Sequence, residues 1–182
     1  MNKFFRFFFS LYGLSIFVAS FFIAFPAYFI VLNLFSAKRA PYIAHRVSYY
    51  WAKSVMTLLL IRIKIEGIEN IDRNTAYVMV SNHSSQLDIV ACAMSCSNMF
   101  KYLAKAELSS FPVIGYAVKK LYIPVDRKSK EGRAQSMANM IQALREGTSV
   151  FIYPEGTRNK TDKPLMPFYD GAFRLALAEH AP

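Results

Sequence analysis

Two short blocks hold the residues best suited to chemistry. Asn82-His83-Ser84-Ser85-Gln86-Leu87-Asp88 sets an imidazole and a carboxylate five residues apart, and Tyr153-Pro154-Glu155-Gly156-Thr157-Arg158 sets a fixed cation on a glycine-containing turn. Imidazole is the side chain best placed to take a proton near neutral pH. Arginine forks two hydrogen bonds to a phosphate. A base that strips a hydroxyl and a clamp that holds a phosphate are what acyl transfer to a phosphorylated alcohol requires.

Five residues along one helix turn through about 500°, so His83 and Asp88 cannot share a helical face. They meet if His83 stands on the turn before a helix and Asp88 lies in its first turn. Ser84 or Ser85 then caps the helix, and Asp88 falls at its third or fourth position. In that geometry Asp88 accepts a hydrogen bond from the Nδ1–H of His83, fixing the tautomer and stabilising imidazolium as it forms. Backbone amides at the helix start are the expected donors to an oxyanion. The competing reading is purely structural: Ser85-x-x-Asp88 is also a variant of the capping box. For Arg158 the competing reading is a surface cation paired with a nearby acid, and Glu155 is the nearest.

The elements that must position these groups alternate between two hydrophobic periods. Ile61–Glu66 alternates strictly and predicts a half-buried strand. Ala76–Val80, Phe100–Ala104, Leu121–Val125 and Ser149–Tyr153 are short apolar runs that predict buried strands. A helix is expected from the His83 block to about Ser97, and a short helix or loop over Phe111–Lys120. The clearest amphipathic helix covers Lys128–Glu146, with Ala134, Met137, Ile141 and Leu144 on one stripe and Gly147 at its end. A last helix starts at Asp170. Strands alternating with helices predict an α/β fold, a mostly parallel central sheet flanked by helices. Ligands of such sheets bind beyond the carboxyl ends of the strands. Both blocks stand there, as do Lys105 and the Asp126-Arg127 pair.

Ahead of this domain lies a segment of another kind. No charged residue interrupts the 29 positions from Phe7 to Phe35. As one helix they would reach about 44 Å, beyond the roughly 30 Å hydrocarbon core of a bilayer. The run is too long for a signal-peptide core and lacks the polar face of a soluble helix. Pro26 is expected to kink or break it, giving a tilted membrane-embedded helix or a helical hairpin in one leaflet. The expected division is a membrane-anchoring segment over 1–37 and the α/β domain over 38–182. Pro41–Leu60 reads as an interfacial or packing helix rich in aromatics, with Arg46 and Lys53 exposed. The net charge of +10 suits an anionic membrane, and the apolar run argues against nucleic acid. By the excess of positive charge, Lys38, Arg39, Arg46 and Lys53 are expected to put the flank after the apolar run on the cytoplasmic side, although Lys3 and Arg6 make the other flank basic too. The two cysteines, Cys92 and Cys96, lack metal-site spacing and read as small buried side chains.

At these residues the chain resembles the glycerolipid acyltransferases, most closely the bacterial 1-acyl-sn-glycerol-3-phosphate acyltransferases. NHSSQLD matches the family's NHxxxxD block. Tyr122-Ile123-Pro124-Val125-Asp126-Arg127 is similar to its second block, and YPEGTR to its third, with Tyr153 where Phe is common. Gly171-Ala172-Phe173 resembles the stretch that follows. The resemblance covers about Ile61–Ala178. It implies that His83 is the general base and Asp88 its orienter. It also implies that Arg158, Gly156, Thr157 and Glu155 form the acceptor-phosphate site, assisted by Arg127 and Lys105. The implied reaction moves a fatty acyl group from acyl-CoA or acyl-carrier protein to the 2-hydroxyl of lysophosphatidic acid in phospholipid synthesis. It needs no metal, no cofactor and no acyl-enzyme. Acylation of glycerol 3-phosphate or of a lyso-ornithine lipid uses the same base, and a membrane lipid-binding protein without turnover uses the same pocket. The family's fourth block, a Val-Pro-Val-like strand, does not occur before Pro182, so the chain is expected to be truncated or unusually short.

Overall fold

The structure is a computed structural model that describes residues 2–112, 114–126 and 128–182. It divides into two compact units. One comprises the chain up to Glu66 together with Ile89–Ser95, and the other Gly67–Asp88 with Cys96–Pro182. The unit that contains residues 1–37 also takes in the second helix, which folds back along the first.

In the helical unit, α1 runs over Lys3–Leu34 and α2 over Ala40–Leu58. Tyr12 Oη donates to the Leu58 carbonyl at 2.8 Å, Trp51 Nε1 donates to Ser20 Oγ at 3.1 Å, and Tyr28 and Ser48 share a hydroxyl bond of 2.7 Å. Early residues of α1 thus meet late residues of α2, and the pair is an antiparallel hairpin. Its turn lies at residues 35–39, and α1 continues unbroken through Pro26. The contacts of Ser20 and Tyr28, on either side of Pro26, hold both halves of α1 along α2 and compensate for the missing backbone donor. α2 buries Ala44, Ala52, Val55 and Met56 and exposes Arg46 and Lys53. α1 is long and apolar enough to cross a membrane, and most of its phenylalanines are exposed. Cys92, in α3 (Leu87–Ser95), and Cys96 just after it are half-buried rather than sealed in the interior.

The second unit is built on a four-stranded, wholly parallel sheet in the order β1-β4-β2-β3, with β1 at Val78–Val80, β2 at Phe100–Lys105, β3 at Ile123–Val125 and β4 at Ser149–Ile152. Val78 pairs with Val150, Phe100 with Ser149, and Leu103 with Ile123. Every residue of the inner strand β4 is buried. β1 is an edge strand, only half-buried, with Val80 exposed. The alternating Ile61–Glu66 segment is not a strand. It runs outside the sheet with Ile61 and Ile65 exposed, and Lys64 pairs locally with Glu66. Alternation alone does not make a strand where no edge accepts it.

α4 covers Ile114–Leu121 and α5 Lys130–Arg145. Ser129 caps α5 by accepting from Gly132 N at 2.9 Å. Gly147 closes the turn after α5 at φ 78°, a conformation that costs a side-chain-bearing residue about 1–2 kcal/mol. The buried stripe of α5 is Ser136, Met140, Ala143 and Leu144, flanked by Met137 and Ile141, whereas Ala134 lies on the exposed side. With Ile123, Val150, Ile152 and residues Ala172 and Leu175 of α6 (Gly171–Ala178), this stripe forms the core. Because all four strands run in one direction, the residues that follow β1, β2, β3 and β4 gather at a single edge of the sheet.

Candidate active site

That edge carries the chemistry. The chain leaves β1 at Val80 and reaches His83 on a loop before α3. Asp88 is the second residue of α3. This is one or two positions earlier than expected, because Gln86, not a serine, takes the cap position. His83 Nδ1 lies 2.9 Å from Asp88 Oδ2. The same oxygen accepts the backbone N–H groups of Ser84 at 2.7 Å and Ser85 at 2.8 Å, and Ser85 Oγ accepts from Leu87 N at 3.1 Å. Both geometries are present at once: Asp88 caps the turn and hydrogen-bonds the imidazole. These amides face a carboxylate or a hydroxyl, so they are not the expected oxyanion donors.

Burial pushes the Asp88 carboxyl up. Hydrogen bonds from Ser85 N, His83 Nδ1 and Ser84 N, with the charge that His83 can carry, outweigh it and hold the group below the usual carboxylate range. A carboxylate facing Nδ1 leaves the proton there and the lone pair on Nε2. Nε2 makes no hydrogen bond among the described residues, and the side chain is 14% exposed, so it remains reachable.

The loop after β4 clamps the His83 backbone from both sides. Glu155 Oε1 accepts the His83 N–H at 2.8 Å, and Asn159 N–H donates to the His83 carbonyl at 2.6 Å. Glu155 Oε2 accepts from Met166 N at 3.1 Å, and the residue is 1% exposed. Glu155 is thus neither the partner of Arg158 nor a contact for phosphate. It is sealed away from solvent, its two oxygens are engaged, and its charge would repel an anion. Gly156 turns the chain at φ 70°, with its N–H donating to Tyr153 O at 3.0 Å. Thr157 is exposed and Arg158 half-buried. The Arg158 guanidinium has no hydrogen bond or acidic partner among the described residues. Asn159, which follows it, is bonded to His83, so the cation and the base stand on one clamped pair of loops.

Lys105 ends β2 and points to solvent, paired with Glu107 at 3.3 Å; Lys128 approaches the same carboxylate at 3.7 Å. Asp126 accepts from Lys128 N and Ser129 Oγ, each at 2.9 Å. Arg127 lies outside the described residues. Sequence reasoning passed over two positions. Tyr153 stacks on the His83 ring at 4.1 Å between centroids and 19° between planes. Asn159 supplies the second backbone clamp. The one available signal was an aromatic residue directly between a buried strand and the Pro154 turn.

A family model described as Acyltransferase matches residues 62–182, most of the chain. The chain belongs to the acyltransferase family. Within it, this family member is 36% identical over 72% of its length to the chloroplastic 1-acyl-sn-glycerol-3-phosphate acyltransferase LPAT1 of Arabidopsis thaliana, covering 37% of that protein. It is 31% identical over 73% of its length to the 1-acyl-sn-glycerol-3-phosphate acyltransferase of Bacillus subtilis, covering 66% of that protein. The chain thus spans well under half of the chloroplast relative. The crystal structure of the 1-acyl-sn-glycerophosphate acyltransferase PlsC from Thermotoga maritima shares its fold, with a TM-score of 0.78 and 23% identity, over 100% of this chain and 73% of that one.

Proposed function

We propose that the chain transfers a fatty acyl group from an acyl thioester to the 2-hydroxyl of 1-acyl-sn-glycerol 3-phosphate, giving phosphatidic acid. The observation that carries this reading is the clamp between loops. The Asn159 N–H to His83 carbonyl bond of 2.6 Å ties His83 to the loop that bears Arg158, and neither Nε2 nor the guanidinium has a hydrogen-bond partner among the described residues. The names of the similar proteins support the same substrate class.

In this reading His83 Nε2 takes the hydroxyl proton as the oxygen attacks the thioester carbonyl. The C–O bond forms, the tetrahedral intermediate collapses with loss of the C–S bond, and the imidazolium gives its proton to the departing thiolate, which restores neutral His83. Asp88 keeps the tautomer that makes this proton transfer available. Arg158 holds the acceptor phosphate, with Thr157 and the Gly156 turn beside it, and converts that binding into orientation of the 2-hydroxyl. The resemblance also gives Lys105 and Arg127 an assisting role; Lys105 is paired with Glu107 at 3.3 Å, and Arg127 lies outside the described residues. Acyl-CoA or acyl-carrier protein brings an already activated acyl group, so the reading asks for no metal and no further cofactor. α1 holds the protein in the inner membrane with the sheet on the cytoplasmic side, where lysophosphatidic acid and the thioester meet.

The test is thiol release by the full chain in lipid nanodiscs, using palmitoyl-CoA with lysophosphatidic acid, glycerol 3-phosphate or a lyso-ornithine lipid as acceptor. Thiol is expected only with lysophosphatidic acid, and His83→Ala is expected to lower the rate by about 10²–10⁴-fold. Release without an acceptor, or with another acceptor alone, contradicts the assignment.

A further inference from the structure

We propose that Tyr153 is a positioning residue for the base, its ring fixing the tilt of the His83 imidazole; this rests on the reaction proposed above. One hydrogen bond, Nδ1 to Asp88 Oδ2 at 2.9 Å, anchors one point of the imidazole. It leaves the ring able to swing about that point, which would sweep Nε2 away from the acceptor hydroxyl. A face contact removes that freedom. The Tyr153 ring supplies it, 4.1 Å from the imidazole centroid and within 19° of parallel. Together the two contacts define the plane of the base and the direction of its lone pair.

Tyr153 can restrain His83 only if it is itself held. Its ring stacks on Tyr102 of β2 at 6.3 Å and 9°, and meets Phe151 of β4 at 5.4 Å. Tyr102 and Phe151 are buried in strands that pair with each other. The next residues, Pro154 and Glu155, are buried, and the Gly156 N–H returns to Tyr153 O. The sheet therefore transmits its rigidity through one aromatic column to the catalytic ring. The face that Tyr153 presents is electron-rich and favours the imidazolium that forms during proton transfer. Phenylalanine offers the same face, so the effect belongs to the ring and not to its hydroxyl.

The experiment compares Y153F and Y153L in the full chain in nanodiscs, with kinetics and with NMR of the histidine Cε1–H resonances. H83A assigns the His83 signal against those of His45 and His180. The stack predicts that this proton resonates upfield in the wild type and in Y153F, and moves downfield in Y153L. Y153L is expected to lower kcat about 10- to 100-fold with KM for both substrates within about 2-fold, as for an interaction used in the transition state. Y153F is expected to stay within about 3-fold of the wild type in kcat. Normal kcat in a folded Y153L, or a wild-type His83 resonance without the upfield displacement, overturns the proposal. Should Y153L not fold, Y153M, whose flexible side chain fills the same space without a face, is read by the same criteria. A wild-type chain that releases no thiol defeats the reaction and this proposal together. An active wild type with an equally active Y153L defeats this proposal alone.

Discussion

Glu155 Oε1 accepts the backbone N–H of His83 at 2.8 Å across 72 residues of chain. The carboxylate is 1% exposed and faces no cation among the described residues; its charge is met by two N–H donors, of His83 and Met166. Charge-assisted bonds of this kind are about twice as strong as neutral ones, and a buried carboxylate without them would be costly. The acid of the Pro-Glu-Gly-Thr turn therefore organises the site from below. It joins the loop after β1 to the loop after β4 and lets each bring one functional group, the base or the cation, to the same edge of the sheet.

Glu155→Ala should accordingly be a stability variant first. It leaves two half-buried N–H groups without acceptors, each worth about 1–3 kcal/mol, so a loss of about 2–6 kcal/mol is expected. Glu155→Gln keeps one acceptor oxygen but turns an NH₂ toward the other donor, and should cost about half as much. Thermal unfolding of both variants, read by circular dichroism, ranks them. If the alanine variant melts at the wild-type temperature, the clamp does not hold the loops.

Much of this arrangement was legible in the sequence, and the failures have physical causes. The parallel sheet, α5 and its Gly147 stop, and the meeting of His83 with Asp88 all follow from local signals, since period, cap and spacing belong to neighbouring residues. The resemblance put Glu155 in the phosphate site, with pairing to Arg158 as the competing reading, and its buried, doubly bonded carboxylate does neither. Proximity in the chain is a poor guide once a turn at Gly156 sends adjacent side chains in different directions. Ile61–Glu66 has the pattern of a strand but no edge to join. Pro26 was expected to kink or break α1; the helix does not break there, and α2 holds it through Ser20 and Tyr28 on either side. The stack of Tyr153 on His83 left only the aromatic before Pro154 as a trace in the sequence, because it depends on β4 lying beside β1.

Asp88→Asn tests the role of the carboxylate charge. One oxygen, Oδ2, meets Nδ1 and the Ser84 and Ser85 N–H groups, so an asparagine oxygen in its place keeps the turn. It carries no charge to stabilise the imidazolium that forms as the acceptor hydroxyl loses its proton. The kcat should fall by about 10³–10⁴-fold, the scale seen when an orienting carboxylate is lost, with the melting temperature nearly unchanged. Steady-state thiol release alongside calorimetry separates the two effects. A variant that turns over normally shows that Asp88 only caps the helix.

Arg158→Ala should raise KM for lysophosphatidic acid while leaving KM for the thioester in place. Loss of hydrogen bonds between charged groups is worth about 1.5–3 kcal/mol, or about 10- to 150-fold. Arg158→Lys keeps the charge but not the fork, and should recover only part of the loss. Varying one substrate at a time gives both constants. Equal changes in the two KM values mean that Arg158 supports the loop and does not select the acceptor.

Stability should fall in acid, and Asp88 should account for part of the slope. Its carboxyl is held below the usual range, chiefly by the Ser85, His83 and Ser84 hydrogen bonds that overcome burial. Asp126, held by Lys128 N–H and the Ser129 hydroxyl, and Glu179, held by Arg145 at 2.8 Å, are lowered too. For such groups the unfolded chain binds more protons than the folded one between the two pKa values, so stability rises with pH in that window. The contribution is complete above the unfolded carboxylate range, about pH 4–5, and is lost as pH falls through the lower folded values. Melting temperatures from pH 6 to pH 2.5 should therefore be flat and then drop below about pH 4. In Asp88→Asn the drop should be shallower, because the amide has no proton to gain. A curve for Asp88→Asn parallel to the wild type over the whole range would show that the carboxylate contributes nothing to folding through its hydrogen bonds.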